Sequence, residues 1–201
     1  MNIALVVYGA GNLTSVIKAL EAVGATVDLV SDARAIERAR AIVIPGVGHF
    51  SATASLGESW MDAVRAAIDR GTPLLGICLG LQWLFEGSAE SPETPGLGFI
   101  AGRCFRLEGD VKVPHVGWNS LDRTERPSRL LEGVPSGASA YFTHSYAAPL
   151  VAETIARTTH AVPFSAAVER DHVFGVQFHP EKSGQTGLKM LTNFMRLAEG
   201  R

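Results

Sequence analysis

Short apolar runs alternate with helical periodicities through the first half of the chain. Residues Asn2–Tyr8 form an apolar run, and Gly9-Ala10-Gly11-Asn12 turns the chain out of it. Asn12 is placed to cap a helix in which Leu13, Val16, Ile17, Leu20 and Val23 recur at the 3.6-residue period. Gly24 ends that helix, Thr26–Val30 is a second strand, and a short helix passes through Ile36. The run Ala41–Ile44, stopped by Pro45 and Gly46, has the character of a buried strand. Helical spacing resumes from Phe50 to Arg70 through Trp60, Val64 and Ile68. Pro73–Ile77 is another buried strand, and Leu79–Phe85 turns straight from it into a helix.

After Glu86 the pattern changes. Gly, Pro and Ser punctuate Gly87–Gly98, and hairpin-like strands follow at Ile100–Leu107, Trp118–Leu121, Ala140–Tyr146, Glu153–Arg157 and Ser165–Arg170. His172–Phe178 is one more apolar strand, and Thr186–Glu199 closes the chain as an amphipathic helix on Leu188, Leu191, Phe194, Met195 and Ala198. The βα alternation predicts a mostly parallel sheet, and the hairpins predict an antiparallel extension. With no repeat, low-complexity tract or linker, the expectation is one domain over residues 1–201. Its fold class is α/β, a three-layer sandwich with a mostly parallel central sheet and an antiparallel extension.

Composition narrows the chemistry. At 201 residues and 46% apolar, the chain can bury a sizeable core without a disulfide or structural metal. A net charge of −2 with dispersed cations offers no footprint for nucleic acid. Arg123, Arg126 and Arg129 are interleaved with acids and read as a solvated surface loop. Two cysteines make no disulfide framework and point to a reducing compartment, and no Cys/His ligand spacing supports zinc. Met1–Tyr8 lacks a basic flank and a cleavage site, so it reads as a strand, not a leader. Apolar stretches break well short of the ~18 residues that span a membrane. The expected location is the cytoplasm, with no metal and no cofactor.

The sharpest chemical signal is Gly76-Ile77-Cys78-Leu79-Gly80, set where a strand passes directly into a helix. A nucleophile on such a strained turn needs small residues two places before and after it, and both are glycine here. A helix N-terminus favours thiolate, and the Leu79 N–H is placed to stabilise an oxyanion. Cys104 lies in a strand without that setting and reads as structural. A thiol nucleophile also needs a base with something to orient it. His179 ends an apolar strand, where parallel sheets place their chemistry. Glu181 follows across Pro180; in an extended chain the i and i+2 side chains share a side, which gives a Cys78–His179–Glu181 triad. Pro45-Gly46-Val47-Gly48 ends the third strand, and its glycines allow a backbone N–H to turn toward a ligand. Gln82, one helical turn after Cys78, shares its side of the helix and is either a substrate ligand or a surface residue.

GICLGLQ at Gly76–Gln82, PGVG at Pro45–Gly48 and GVQFHPEKS at Gly175–Ser183 resemble the hallmark segments of class I, or triad, glutamine amidotransferases. YGAGNLTSV at Tyr8–Val16, KVPHVGWN at Lys112–Asn119 and YFTHSY at Tyr141–Tyr146 are similar to the branch of that family serving imidazole glycerol phosphate synthases in histidine biosynthesis. The resemblance runs from the first strand to the last helix. It implies that Cys78 attacks the carboxamide of glutamine, with His179 as base and then acid and Glu181 as its orienter. It implies an oxyanion hole from the backbone around Val47 and Leu79. Gly46, Gly48, Gln82, Glu90 and the backbone of Ser145 and Tyr146 would hold glutamine. The implied partner is a (βα)8-barrel cyclase in a heterodimer, which receives the ammonia and makes imidazole glycerol phosphate and an aminoimidazole carboxamide ribonucleotide. Asn12, Trp118 and Lys182 fall at its interface. Val7 stands where the family often has Asp, and Leu81 where it often has Met. A glutaminase feeding another synthase, such as anthranilate synthase, is the alternative against which KVPHVGWN argues. An inert triad-like regulatory subunit is the other, and the intact Cys78/His179/Glu181 set argues against it.

Overall fold

A computed structural model describes residues 1–200. In chain order the elements are β1 (Asn2–Val6), α1 (Leu13–Ala22), β2 (Thr26–Val30), β3 (Ile42–Ile44), α2 (Glu58–Asp69), β4 (Leu74–Ile77) and α3 (Leu79–Trp83). The second half adds β5 (Gly87–Ser88), β6 (Ser91–Pro95), β7 (Arg103–Arg106), β8 (His115–Arg123), β9 (Ala138–His144) and β10 (Tyr146–Ala147). It closes with β11 (Thr154–His160), β12 (Val162–Arg170), β13 (Val173–Val176) and α4 (Gly184–Ala198).

Nine strands form one sheet in the order β2-β1-β3-β4-β13-β12-β11-β8-β9. Pairings from β2 to β13 are parallel, and those from β13 to β9 are antiparallel. The inner strands β3, β4 and β13 are buried at every residue, so they are apolar throughout, and β1 is buried after Asn2, while the edge strand β2 is mostly exposed. Ile3 and Leu5 of β1 join one core with α1 and α4, while Ala4 and Val6 join the other with α2 and α3. That is the three-layer α/β arrangement expected from the alternation of runs.

Several local features differ from the sequence pattern. The helical stretch from Phe50 to Arg70 is broken: a 3-10 turn spans Phe50–Ser55, and α2 starts afresh after Gly57. Asn12 precedes α1 but its side chain makes no capping bond, because its backbone (ψ 79°) is not extended as a cap requires. The Gly- and Pro-rich stretch after Glu86 contains β5 and β6, which join β7 and β10 in a second, four-stranded sheet. The predicted strand Ala140–Tyr146 is interrupted at Ser145, so β9 ends in the large sheet and β10 begins in the small one. Of the arginines expected in a solvated loop, Arg126 and Arg129 are exposed, Arg123 ends β8, and all three are hydrogen-bonded. Arg129 Nε meets Glu169 Oε1 at 3.1 Å, Arg126 Nη2 donates to the Glu169 carbonyl, and Arg123 Nη1 donates to that of Val134. The Glu169 carboxylate is buried and requires such partners.

Candidate active site

β4 and β13 lie side by side and parallel, with Ile77 opposite Val176. Their C-terminal ends therefore bring Cys78 and the segment after β13 together. Cys78 adopts φ +53°, a left-handed conformation unusual for a side chain with a Cβ, and its N–H donates to the Val176 carbonyl at 2.7 Å. A Cβ on Gly80 would lie 1.9 Å from the Ile44 carbonyl oxygen, and one on Gly76 would lie 2.6 Å from that of Gly80. The two glycines thus allow the backbone contacts that force the strained turn.

His179 Nδ1 lies 2.7 Å from Glu181 Oε1, and both side chains are only 2% exposed. The carboxylate accepts, so Nδ1 carries a proton and Nε2 is left for chemistry at the sulfur. The local geometry is not the extended step expected from the sequence. Pro180–Lys182 is a 3-10 turn, stabilised by Ser183 Oγ donating to the His179 carbonyl at 2.7 Å. Burial pulls the imidazole pKa down, but the Cys78 sulfur and the Glu181 carboxylate outweigh it and hold His179 up at about 10.

A cleft of about 190 Å³ opens beside the sulfur. It is lined by predicted residues Gly48, Cys78, Leu79, Gln82, Glu90, Ser145 and Tyr146, and by Pro114, Thr143 and His144, which lie within the quoted motifs but were given no role. A larger hollow of about 490 Å³ lies at Asn2, Asp28 and Arg38, but it holds no nucleophile, so chemistry singles out the smaller one. Gly46 and Val47 do not line the cleft. The Leu79 N–H, expected to be an open oxyanion donor, meets the Gly46 carbonyl at 3.3 Å. Gly48 beyond it has φ +108° and open space around its α-carbon.

Gln82 is buried and lines the cleft rather than standing on the surface. Its Nε2 donates to the Tyr146 carbonyl at 2.9 Å and to Gln177 Oε1 at 3.3 Å, which leaves only its carbonyl oxygen for a guest. Glu90 Oε2 accepts from the Phe50 N–H at 2.7 Å, so one carboxylate oxygen is anchored while the residue lines the cleft. Trp118 is 58% exposed, edge-on to Tyr141, whose ring also faces Lys182 Nζ at 5.8 Å. Asn12 is exposed at the start of α1, which packs on the turn carrying Lys182.

Three features escaped the sequence. Gln177 is fully buried and its Nε2 donates to Cys78 Sγ at 3.6 Å; its one signal was a polar residue inside an apolar run. His115 and His144 are buried and bonded to each other at 3.1 Å. The Tyr8 hydroxyl is buried against Gly46 and Leu79, and desolvation raises its pKa. Cys104 is buried and free, and burial pushes its thiol far up, as suits a structural cysteine. Among the described residues no three His, Cys, Asp or Glu side chains are grouped to hold a metal ion. No helix among them is long and apolar enough to cross a membrane.

The family model for glutamine amidotransferase class-I matches residues 4–198. A curated relative from Thermococcus kodakarensis, "Imidazole glycerol phosphate synthase subunit HisH", is 50% identical and covers 97% of this chain and 100% of its own. The protein of the same name from Herpetosiphon aurantiacus is 47% identical over 99% of this chain and 96% of its own. Among solved structures, one described as "Crystal structure of glutamine amidotransferase" superposes with a TM-score of 0.76 at 21% identity, covering 98% of each chain. The "Structure of PurLQS from Thermotoga maritima" gives 0.75 at 20% identity, again over 98% of each. At those identities the structures speak for the fold alone.

Proposed function

The chain belongs to the class I glutamine amidotransferase family, and from that premise we infer that it is the glutaminase subunit of an imidazole glycerol phosphate synthase, a histidine-biosynthesis enzyme. The observation that carries the chemistry is the buried 2.7 Å pair of His179 and Glu181 at the strand end beside Cys78.

Held at about 10, His179 carries a proton at neutral pH. The extra proton on this imidazolium is the one the Cys78 thiol has surrendered, and the sulfur so freed attacks the glutamine carboxamide carbon. The tetrahedral adduct collapses to a thioester as His179 gives its proton to the leaving nitrogen, releasing ammonia. The imidazole, now neutral, takes a proton from water as that water attacks the thioester, and glutamate leaves with the Cys78 sulfur restored. Glu181 keeps Nδ1 protonated and stabilises each imidazolium state. The developing oxyanion needs N–H donors, and the Leu79 N–H becomes one only when the Gly46 carbonyl turns away. The positive φ of Gly48 gives the neighbouring backbone the freedom to do so. Glu90 and the Gln82 carbonyl suit the α-ammonium of glutamine, and the Ser145–Tyr146 backbone suits its α-carboxylate.

The ammonia goes to a partner. We place a (βα)8-barrel cyclase against Trp118, Lys182 and Asn12, where an exposed indole stands on a half-buried tyrosine beside a cation. Mixing the chain with such a barrel and measuring glutamine hydrolysis with and without the nucleotide substrate tests this reading. Faster hydrolysis with both present is expected. In the same complex Cys78→Ala should abolish glutamine-driven synthesis yet leave synthesis from added ammonia intact; loss of both would refute the division of labour.

A further inference from the structure

Between β9 and β10 the chain leaves one sheet for another at Ser145, whose carbonyl accepts from the Leu107 N–H just past β7 at 2.9 Å. That passage lines the cleft. A line of side chains holds the next carbonyl, that of Tyr146. Gln177 Nε2 donates to Cys78 Sγ, and Gln82 Nε2 donates to Gln177 Oε1 and to the Tyr146 carbonyl. From the far side His144 Nδ1 meets the same carbonyl at 2.9 Å. His144 Nε2 meets His115 Nδ1 at 3.1 Å, and His115 Nε2 meets Asn119 Nδ2 at 3.2 Å.

Chemistry determines each direction. The carbonyl can only accept, so His144 carries its proton on Nδ1, and its Nε2 must accept from His115 Nδ1–H. His115 Nε2 is then an acceptor, which suits the Asn119 amide that can only donate there. Both rings are neutral, both ring nitrogens of each are satisfied, and both lone pairs of the Tyr146 carbonyl are engaged. His115 is fixed further by stacking between Phe142 and His160, at 4.8 and 4.1 Å between centroids.

We propose that His144, backed by His115, is a positioning residue for glutamine capture. It holds the Tyr146 peptide so that the Ser145–Tyr146 backbone and the Gln82 carbonyl present a preformed site for the amino-acid end of the substrate. The assignment rests on the glutaminase reading, and a structural role in the core alone predicts a different pattern of kinetics. A misplaced peptide weakens capture of any ligand with an amino-acid moiety, while the intrinsic reactivity of the thiol is little changed.

The test follows Cys78 modification in the full-length chain by an electrophilic glutamine analogue, over a range of concentrations, beside iodoacetamide, which lacks the amino-acid end. His144→Phe keeps the ring and loses both hydrogen bonds. It should raise the half-saturating analogue concentration about tenfold, the effect of one net buried hydrogen bond, while iodoacetamide reacts near the wild-type rate. His144→Asn places Nδ2 where Nδ1 was and should recover most of the loss. If the Phe variant shows no cooperative unfolding transition, His144→Gln, whose amide is too long to reach the Tyr146 carbonyl, supplies the same contrast. Unchanged half-saturation, or equal loss with both reagents, overturns the assignment. A wild-type chain whose Cys78 resists the analogue overturns the glutaminase reading and this assignment with it; a labelled wild type with an unchanged variant overturns this assignment alone.

Discussion

At the residue scale, the nucleophile and its activation separate into a part legible in the sequence and a part that is not. Gly76 and Gly80 announce the turn at Cys78 because carbonyl oxygens approach where a Cβ would sit, and only glycine permits that. The fate of the Leu79 N–H was not legible. Its partner is the Gly46 carbonyl, brought there by the parallel neighbours β3 and β4 and not by any side-chain identity. Gln177 and the His115–His144 pair were missed for a related reason: a single polar residue in an apolar run does not say whether it meets a partner. Glu181→Gln tests how much the carboxylate's charge contributes. The neutral amide can still accept from Nδ1 but no longer stabilises the imidazolium, so kcat for glutamine hydrolysis should fall by about 10²–10⁴-fold. KM should change little, since Glu181 does not line the cleft. A loss confined to KM would remove it from proton transfer.

Elements were legible where periodicity is strong and illegible where strands are short. The runs forming β1, β3, β4 and β13 are apolar on both faces, and that leaves a clear trace. β5 and β10 are two residues each, too short for any alternation to register. Their register is set by tertiary pairing with β7. The junction of β4 and α3 makes a sharp prediction. A methyl at Gly80 would meet the Ile44 carbonyl, which belongs to an inflexible central strand. Gly80→Ala should therefore destabilise by about 1–3 kcal/mol or more, read as a lowered thermal midpoint. A midpoint within error of wild type would mean that α3 shifts freely and that the elbow is not strained. On β8, Trp118 projects outward with half of its surface free. Trp118→Ala should leave the thermal midpoint near wild type and weaken association with a barrel partner by about 2 kcal/mol or more, measured calorimetrically. Undiminished binding would move the interface elsewhere.

Over the whole molecule, histidines buried in opposite charge states shape stability on both sides of neutrality. His115 and His144 are neutral in the folded chain. Desolvation is the main cause, with neighbouring histidines adding to it, and their pKa values fall from 6.5 to about 4 and about 3. Below 6.5 the unfolded chain binds protons that the folded pair refuses, so stability falls as pH drops from 6.5 toward 4. His179 is the reverse case. Its pKa rises from 6.5 to about 10, so its contribution is complete below 6.5 and is lost as pH rises through 10. The two effects act in adjoining windows and together place the maximum of their contribution near pH 6.5. Thermal midpoints measured from pH 4 to 10 should separate them. His144→Asn removes one titrating ring, so its acid limb should be shallower than that of the wild type while the alkaline limb is unchanged. His179→Gln should flatten the alkaline limb and leave the acid one. A wild-type acid limb in His144→Asn would mean that the histidine line tolerates protonation. Protonated His144 would still donate to the Tyr146 carbonyl through Nδ1, and the contact given up would be the one between its Nε2 and His115.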